Sequence, residues 1–309
     1  VIVTFTPNPA VDKTLLVPQV RVGAVNRARE SHLDPGGKGV NAARVVHRLG
    51  RPVVALTVVG GHIGRLLRGA LDAEGLACRV VEVREETRLN VILQDETTNA
   101  STRVWDRGAE VPPDARADLE TLVEQWMRHA TVFACAGTLP PGMPADFYAA
   151  VLEAAAKAGA KTLLDSDGES FRLGLEGRPN VIKPNVREAE ALLGRRLTND
   201  DEIVAGAAEL LRRGPEAVVI SMGASGSVLV TGDRVVRAVP PPVRRQSAVG
   251  SGDSLVAGLL IALHEGWDLA EGLRLGTAAG AATAMTVGTQ LGEREEIEAL
   301  LPQVRIETL

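Results

Sequence analysis

VVALTVVG, Val53 to Gly60, is an apolar run of strand length interrupted only by Thr57, and residues 63–74 after it repeat apolar positions with a helical period. An apolar run without alternation suits a strand buried on both faces of a sheet. The same pairing recurs along the chain. VIVTFT (1–6), TVFACAG (131–137), AKTLLDSD (160–167), NVIKPN (180–185) and AVVISMG (217–223) read as further buried strands. Candidate helices fall near 38–49, 114–129, 146–158, 187–193 and 200–213. Strand then helix, repeated, predicts a largely parallel, doubly wound α/β sheet covered on both faces. GSVLVTGDRVVRAV (226–239) reads as a hairpin turning at Gly232-Asp233, with helices following near 253–265, 269–286 and 293–301.

Two segments break that rhythm. Residues 11–33 and 88–105 look like alternating strands, with turns at Val22-Gly23 and Glu96-Thr97-Thr98. They predict a small β-sheet growing from one edge of the main body. They are either a lid, which could exclude water from a site beneath it, or an ordinary extension of the edge.

Composition narrows the function classes. The 309 residues are 45% hydrophobic and only 3% aromatic, so Val, Leu, Ile and Ala must build the core. The net charge of −5 and the lack of a basic, aromatic-interleaved cluster argue against a nucleic-acid partner. No apolar run has membrane-spanning length, and the apolar start is broken by TPNPAVDK, so the expectation is a cytoplasmic protein without a leader. Cys78 and Cys135 have no metal or redox spacing and read as reduced thiols. Of the 34 basic residues only five are Lys: Lys13, Lys38, Lys157, Lys161 and Lys183. A lysine beside a glycine-rich turn is therefore notable in this chain, because a compact ammonium fits where a guanidinium fork does not.

SAVGSGDSLVAG (247–258) places Gly250, Ser251 and Gly252 before a helical run. Unpaired N–H groups and the helix dipole favour an anion there. Asp253 suits a helix cap as well as a catalyst, and this stretch alone leaves both open. It is not a P-loop, and Leu255 breaks a dinucleotide fingerprint. DPGGKGVNAARVVHRLG (34–50) surrounds Lys38 with Gly36, Gly37 and Gly39 and puts Asn41 on the first turn of a helix. An ammonium and an amide on such a turn suit a polyol or a phosphate, although a solvated lysine is the commoner case for a generic GGKG. In NVIKPNVREAEALLG, Asn185 and Glu188 share a helix-end face, where they could order waters around Mg²⁺ or form a capping box. Lys183 precedes them. Ser221, Gly223 and Gly226 in ISMGASG form a tight turn that is either a hairpin or a phosphate cradle. Asp12, in TPNPAVDK, follows a strand end, where open α/β sheets bind ligands.

Taken in order, TPNPAVD, PGGKGVNAARVVHRLG, TRLNV, AGTLPPG, LDSDGES, IKPNVREAE, ISMGASG and VGSGDSLVAG resemble the motif series of the PfkB (ribokinase-type) carbohydrate kinases, over about residues 1–309. The TPNPAVD start and the GGKG form look most similar to the branch acting on sugar phosphates. The resemblance implies one ribokinase-like kinase domain over 1–309: a three-layer α/β/α fold with a β-sheet lid, often a homodimer through the lid. It implies ATP and Mg²⁺. Asp253 would be the general base and Gly250, Ser251 and Gly252 the anion hole. Asp12, Gly36, Gly37, Lys38, Asn41 and Arg88 would hold the small-molecule sugar phosphate. Lys183, Asn185, Ser221, Gly223 and Gly226 would line the nucleotide, with Glu188 and Asn185 reaching Mg²⁺ through water. The chain departs from the family pattern at Ser251, where GAGD is usual. It also has Ile92 where close relatives carry Lys, and Thr102-Arg103 where they carry Thr-Glu. Arg103, on the strand paired with Ile92, is the candidate to supply the missing cation. A non-catalytic sugar-phosphate sensor on the same fold is the rival reading, and retention of GSGD argues against it.

Overall fold

A computed structural model describes residues 1–309. In chain order the elements are β1 (Ile2–Thr6), β2 (Ala10–Val17), β3 (Glu30–Gly36), α1 (Lys38–Arg48), β4 (Val53–Gly60), α2 (Gly61–Ala73), β5 (Cys78–Val83), β6 (Arg88–Asp95) and β7 (Ser101–Val104). Next come α3 (Pro113–Met127), β8 (Val132–Ala136), α4 (Phe147–Lys157), β9 (Lys161–Asp165), α5 (Gly168–Gly174), β10 (Val181–Ile182), α6 (Val186–Leu193) and α7 (Asp200–Leu211). The chain ends with β11 (Ala217–Ser221), β12 (Ser227–Thr231), β13 (Val235–Val239), α8 (Ser251–Glu265), α9 (Leu269–Ala284), α10 (Arg294–Leu300) and β14 (Arg305–Thr308).

Ten strands form the main sheet in the order β14-β13-β12-β11-β10-β9-β8-β1-β4-β5. From β5 to β11 the pairing is parallel; β12, β13 and β14 close one side antiparallel. Strand β4 shows why. All eight of its residues are buried, Val53, Ala55 and Val59 entering one core and Val54, Leu56 and Val58 the other. The first core is shared with α1, α2, α8, α9 and α10, the second with α3 to α7. That is the three-layer α/β/α arrangement. Strand order reverses beside β1, between β4 and β8, the kind of switch point where such sheets open a crevice at their carboxyl ends.

The second sheet has the order β3-β2-β6-β7. The sequence placed turns at Val22-Gly23 and Glu96–Thr98; the second sits between β6 and β7 as expected. The first lies inside a longer connection, residues 18–29, where Asn26 bonds back to the Arg21 backbone rather than pairing across a hairpin. Strand β3 also runs further than the alternation suggested. Asp34, Pro35 and Gly36 pair with Asp12, Val11 and Ala10, so the glycine-rich turn is split: Gly36 ends a strand, Gly37 caps α1 and Lys38 starts it. Asp12 correspondingly lies within β2 rather than in a loop.

Strands β5 and β14 and helix α5 were not legible. The first two are edge strands with polar alternation, and α5 has seven residues without a clear apolar stripe. The Ala- and Gly-rich C-terminal third has a packing cause. A Cβ added at Gly258 of α8 would lie 2.2 Å from the Gly276 nitrogen and 2.4 Å from the Gly272 oxygen of α9. The two helices meet backbone to backbone. No helix is long and apolar enough to cross a membrane.

Candidate active site

Two parallel strands and two helix starts deliver a buried charge cluster. Asp165 ends β9, Lys183 follows β10, Lys38 opens α1 and Glu188 lies on the first turn of α6. Lys38 Nζ donates to Asp165 Oδ1 at 3.0 Å, the Ser166 carbonyl at 3.1 Å and Glu188 Oε1 at 3.1 Å. Lys183 Nζ approaches the other Asp165 oxygen, Oδ2, at 3.4 Å. Burial alone would lower the Lys38 pKa, but the Asp165 and Glu188 carboxylates outweigh it and hold the amine above its ordinary value. A positive charge is thus fixed at the crevice.

Asp253 joins the cluster through Asn41, one turn along α1 from Lys38. Helix α8 begins at Ser251 with Gly250 as its cap, in the left-handed region at φ 83°, and no side chain caps it. Asp253 is the third residue of the helix, and its Oδ2 accepts from Asn41 Nδ2 at 2.8 Å. The cap reading of Asp253 is therefore not realised; its carboxylate faces α1. Burial raises its pKa to about 6, helped by the Asp165 charge and opposed by Asn41, Lys38 and Lys183. Asn41 Oδ1, Asp165 Oδ2 and Ser251 Oγ are buried without a hydrogen-bond partner in the protein. Buried polar atoms are rarely left without a partner.

On the small-sheet side Asp12 is 4% exposed and accepts from Asn90 Nδ2 at 2.8 Å. Gly36 faces it so closely that a Cβ there would lie 2.7 Å from Asp12 Oδ2. Burial raises the Asp12 pKa, while Asn90 and Arg88 restrain it. Arg88 is committed to backbone carbonyls: Asn8 at 2.9 Å, Pro9 at 3.2 Å and Asp106 at 3.4 Å. It braces the TPNP turn against the entry to the small sheet. Ile92 and Arg103 are register partners on β6 and β7 as expected, but Ile92 is 1% exposed and Arg103 is exposed. Arg103 is joined to no other member of the cluster.

On the opposite side, Asn185 and Glu188 form the capping box: Asn185 Oδ1 accepts from the Glu188 N–H at 3.0 Å, and Glu188 Oε2 from the Asn185 N–H at 2.7 Å. The capping alternative is realised, yet Glu188 Oε1 still reaches Lys38. Asn185 also bridges Ser221 in parallel, with the Ser221 N–H donating to Pro184 O at 3.0 Å. Gly223 begins a single 3₁₀ turn that ends at Gly226. Asp165 was not singled out from sequence. The signal was there: it is a carboxylate at the C-terminal end of a predicted buried strand, within LDSDGES.

A half-buried carboxylate on the first turn of a helix, next to two fixed lysines and unpaired amides, is equipment for moving a phosphoryl group. The chain belongs to the pfkB family of carbohydrate kinases, which it matches over residues 7–296. It is accordingly a phosphotransferase that uses ATP and a sugar hydroxyl. It is 38% identical to 1-phosphofructokinase of Rhodobacter capsulatus over 309 residues, covering 100% of this chain and 98% of that protein. It is 32% identical to ATP-dependent 6-phosphofructokinase isozyme 2 of Escherichia coli, with 97% of each chain covered. Among solved structures, Escherichia coli phosphofructokinase-2 in complex with substrates and products superposes with a TM-score of 0.92 at 31% identity, covering 98% of both chains.

Proposed function

We propose that the chain is a 1-phosphofructokinase, converting fructose 1-phosphate and ATP to fructose 1,6-bisphosphate and ADP. The chemistry rests on one observation: Asp253, at the start of α8, is held by Asn41 at 2.8 Å within reach of the Lys38, Lys183 and Asp165 charges. The choice of sugar rests on full-length similarity to a 1-phosphofructokinase. Similarity to 6-phosphofructokinase isozyme 2 keeps fructose 6-phosphate as the second reading, with tagatose 6-phosphate within the same substrate class.

In this reading Asp12, Asn41 and the backbone of Gly36 and Gly37 hold the sugar, and Lys38 and Arg88 stand by its phosphate. Arg103 would join them by reaching across from β7. Asp253 takes the proton of the free hydroxyl as its oxygen bonds to the γ-phosphorus and the bridging oxygen leaves with ADP. The amides of Gly250, Ser251 and Gly252 face the charge that develops on the phosphoryl oxygens. Lys183, Asn185, Ser221, Gly223 and Gly226 line the nucleotide.

Magnesium fits this donor set only through water. Both Glu188 oxygens already accept hydrogen bonds, and no group of three or more acidic, His or Cys residues converges. Magnesium keeps several waters in such sites. Glu188 and Asn185 would hold it there, where it neutralises polyphosphate charge.

The small sheet is proposed as the lid and as a homodimer contact. Its β7 edge is fully exposed, and Val104 and Trp105 are 60% and 50% exposed. ATP-dependent turnover with fructose 1-phosphate, fructose 6-phosphate, tagatose 6-phosphate and the free sugars tests the reading. Fructose 1-phosphate should give the highest kcat/KM, and turnover of none would restore the sensor reading. Lys38→Ala should raise the sugar-phosphate KM by roughly 10- to 100-fold, as expected for a lost charge-assisted contact. The ATP KM should change by less than about threefold. Equal rises would move Lys38 to the nucleotide.

A further inference from the structure

We infer that Arg237, on β13, is a positioning residue for the nucleotide, acting by clamping the Gly223–Gly226 turn to the start of α7. The inference rests on the reading of that turn as the nucleotide side. The turn is thinly held. Within itself it has the Met222 N–H to Gly226 O bond at 2.8 Å, Gly226 N–H to Gly223 O at 3.1 Å and Ser225 N–H to Met222 O at 3.3 Å. Its far end is fixed, because a Cβ at Gly226 would lie 2.0 Å from Ala238 O. Its near end is free: Gly223 has φ 61° and open space where a side chain would go.

Between these ends, Ser225 is held by one tertiary contact. Arg237 Nη2 donates to the Ser225 carbonyl at 3.4 Å, and Nη1 pairs with Asp200, the first residue of α7. The Arg237 side chain is 23% exposed, and its Nε is buried without a partner. The planar fork thus spans two elements that no other side chain joins at this point. A lysine ammonium cannot occupy both positions with fixed geometry. The fork gives the turn one arrangement before nucleotide arrives, so less ordering is left for binding to supply. Arg237 pairs only with Asp200 and Ser225 and with no member of the Asp253 cluster, so the effect should fall on the nucleotide alone.

The test combines steady-state kinetics with ADP titration by calorimetry, on the full chain. Arg237→Ala should raise the ATP KM and the ADP Kd by about three- to tenfold, the size of one lost charged hydrogen bond acting indirectly. The sugar-phosphate KM and kcat should stay within about twofold of wild type. Arg237→Lys should recover only part of the affinity, and Asp200→Asn should fall between wild type and Arg237→Ala. Unchanged ADP affinity in Arg237→Ala, with wild type binding ADP normally, overturns the inference. Equal loss in kcat and both KM values also overturns it, because that marks a general structural role. Wild type failing to bind ADP would instead remove the nucleotide reading of the site.

Discussion

Asp253→Asn should turn over roughly 10²–10⁴ times more slowly than wild type, the usual cost of removing a general base. The same variant should be more stable at pH 7. Burial raises the Asp253 pKa from 3.8 to about 6, so the folded protein binds a proton there more readily than the unfolded chain. Stability then falls as pH rises from about 4 to about 6, and the whole penalty is present above that. A shift of this size corresponds to about 3 kcal/mol. Asparagine keeps an acceptor for Asn41 Nδ2 and removes the charge. The gain should shrink as pH is lowered through that window and vanish near pH 3.5, as read by urea midpoints across pH. Wild-type kcat/KM should drop about tenfold per pH unit below about 6, where the base is protonated, and the Asn variant should lack that limb. Turnover above a tenth of wild type would remove Asp253 as the base. A lower midpoint at pH 7 would show that its charge is compensated in the fold.

Gly258→Ala should cost at least about 3 kcal/mol, toward the upper end for overpacking a core. The new methyl would strike backbone atoms of Gly272 and Gly276, which have no rotamer to change. Only separation of α8 from α9 relieves it, and α8 carries Asp253 and the Gly250–Gly252 amides. Urea unfolding gives the cost directly. A loss below about 1 kcal/mol would show that the two helices separate easily.

The main sheet was legible because its strands are buried on both faces. Runs such as VVALTVVG need no knowledge of their neighbours to be recognised. Edge strands are different: CRVVEV and RIET alternate with polar residues, and their pairing is decided by partners distant in the chain. The site divides in the same way. Glycine turns and helix starts are local, so GGKG, KPN and GSGD stood out. The company each residue keeps is not local. Lys38 meets Asp165 and Glu188 across 127 and 150 residues, and Asn41 meets Asp253 across 212. No spacing rule anticipates those contacts. Whether Asp253 capped its helix depended on a shift of two residues in where α8 starts, and helix ends are the least legible feature of a sequence.

The two sheets are unequally bound to the rest of the molecule. The small sheet contributes Val11 alone to the two principal cores, while α8 is pinned against α9 along its length. Variation is therefore tolerated unequally. Exposed residues of β6 and β7, such as Leu89 and Val104, are open to exchange at little cost in folding, and the helix that carries Asp253 is closed to it. A library confined to those exposed positions should yield altered sugar preference among soluble, active kinases, whereas one spread along α8 should yield mostly unfolded chains. In such a scaffold the accepted sugar is the trait that drifts, and the transfer step is the trait that is inherited.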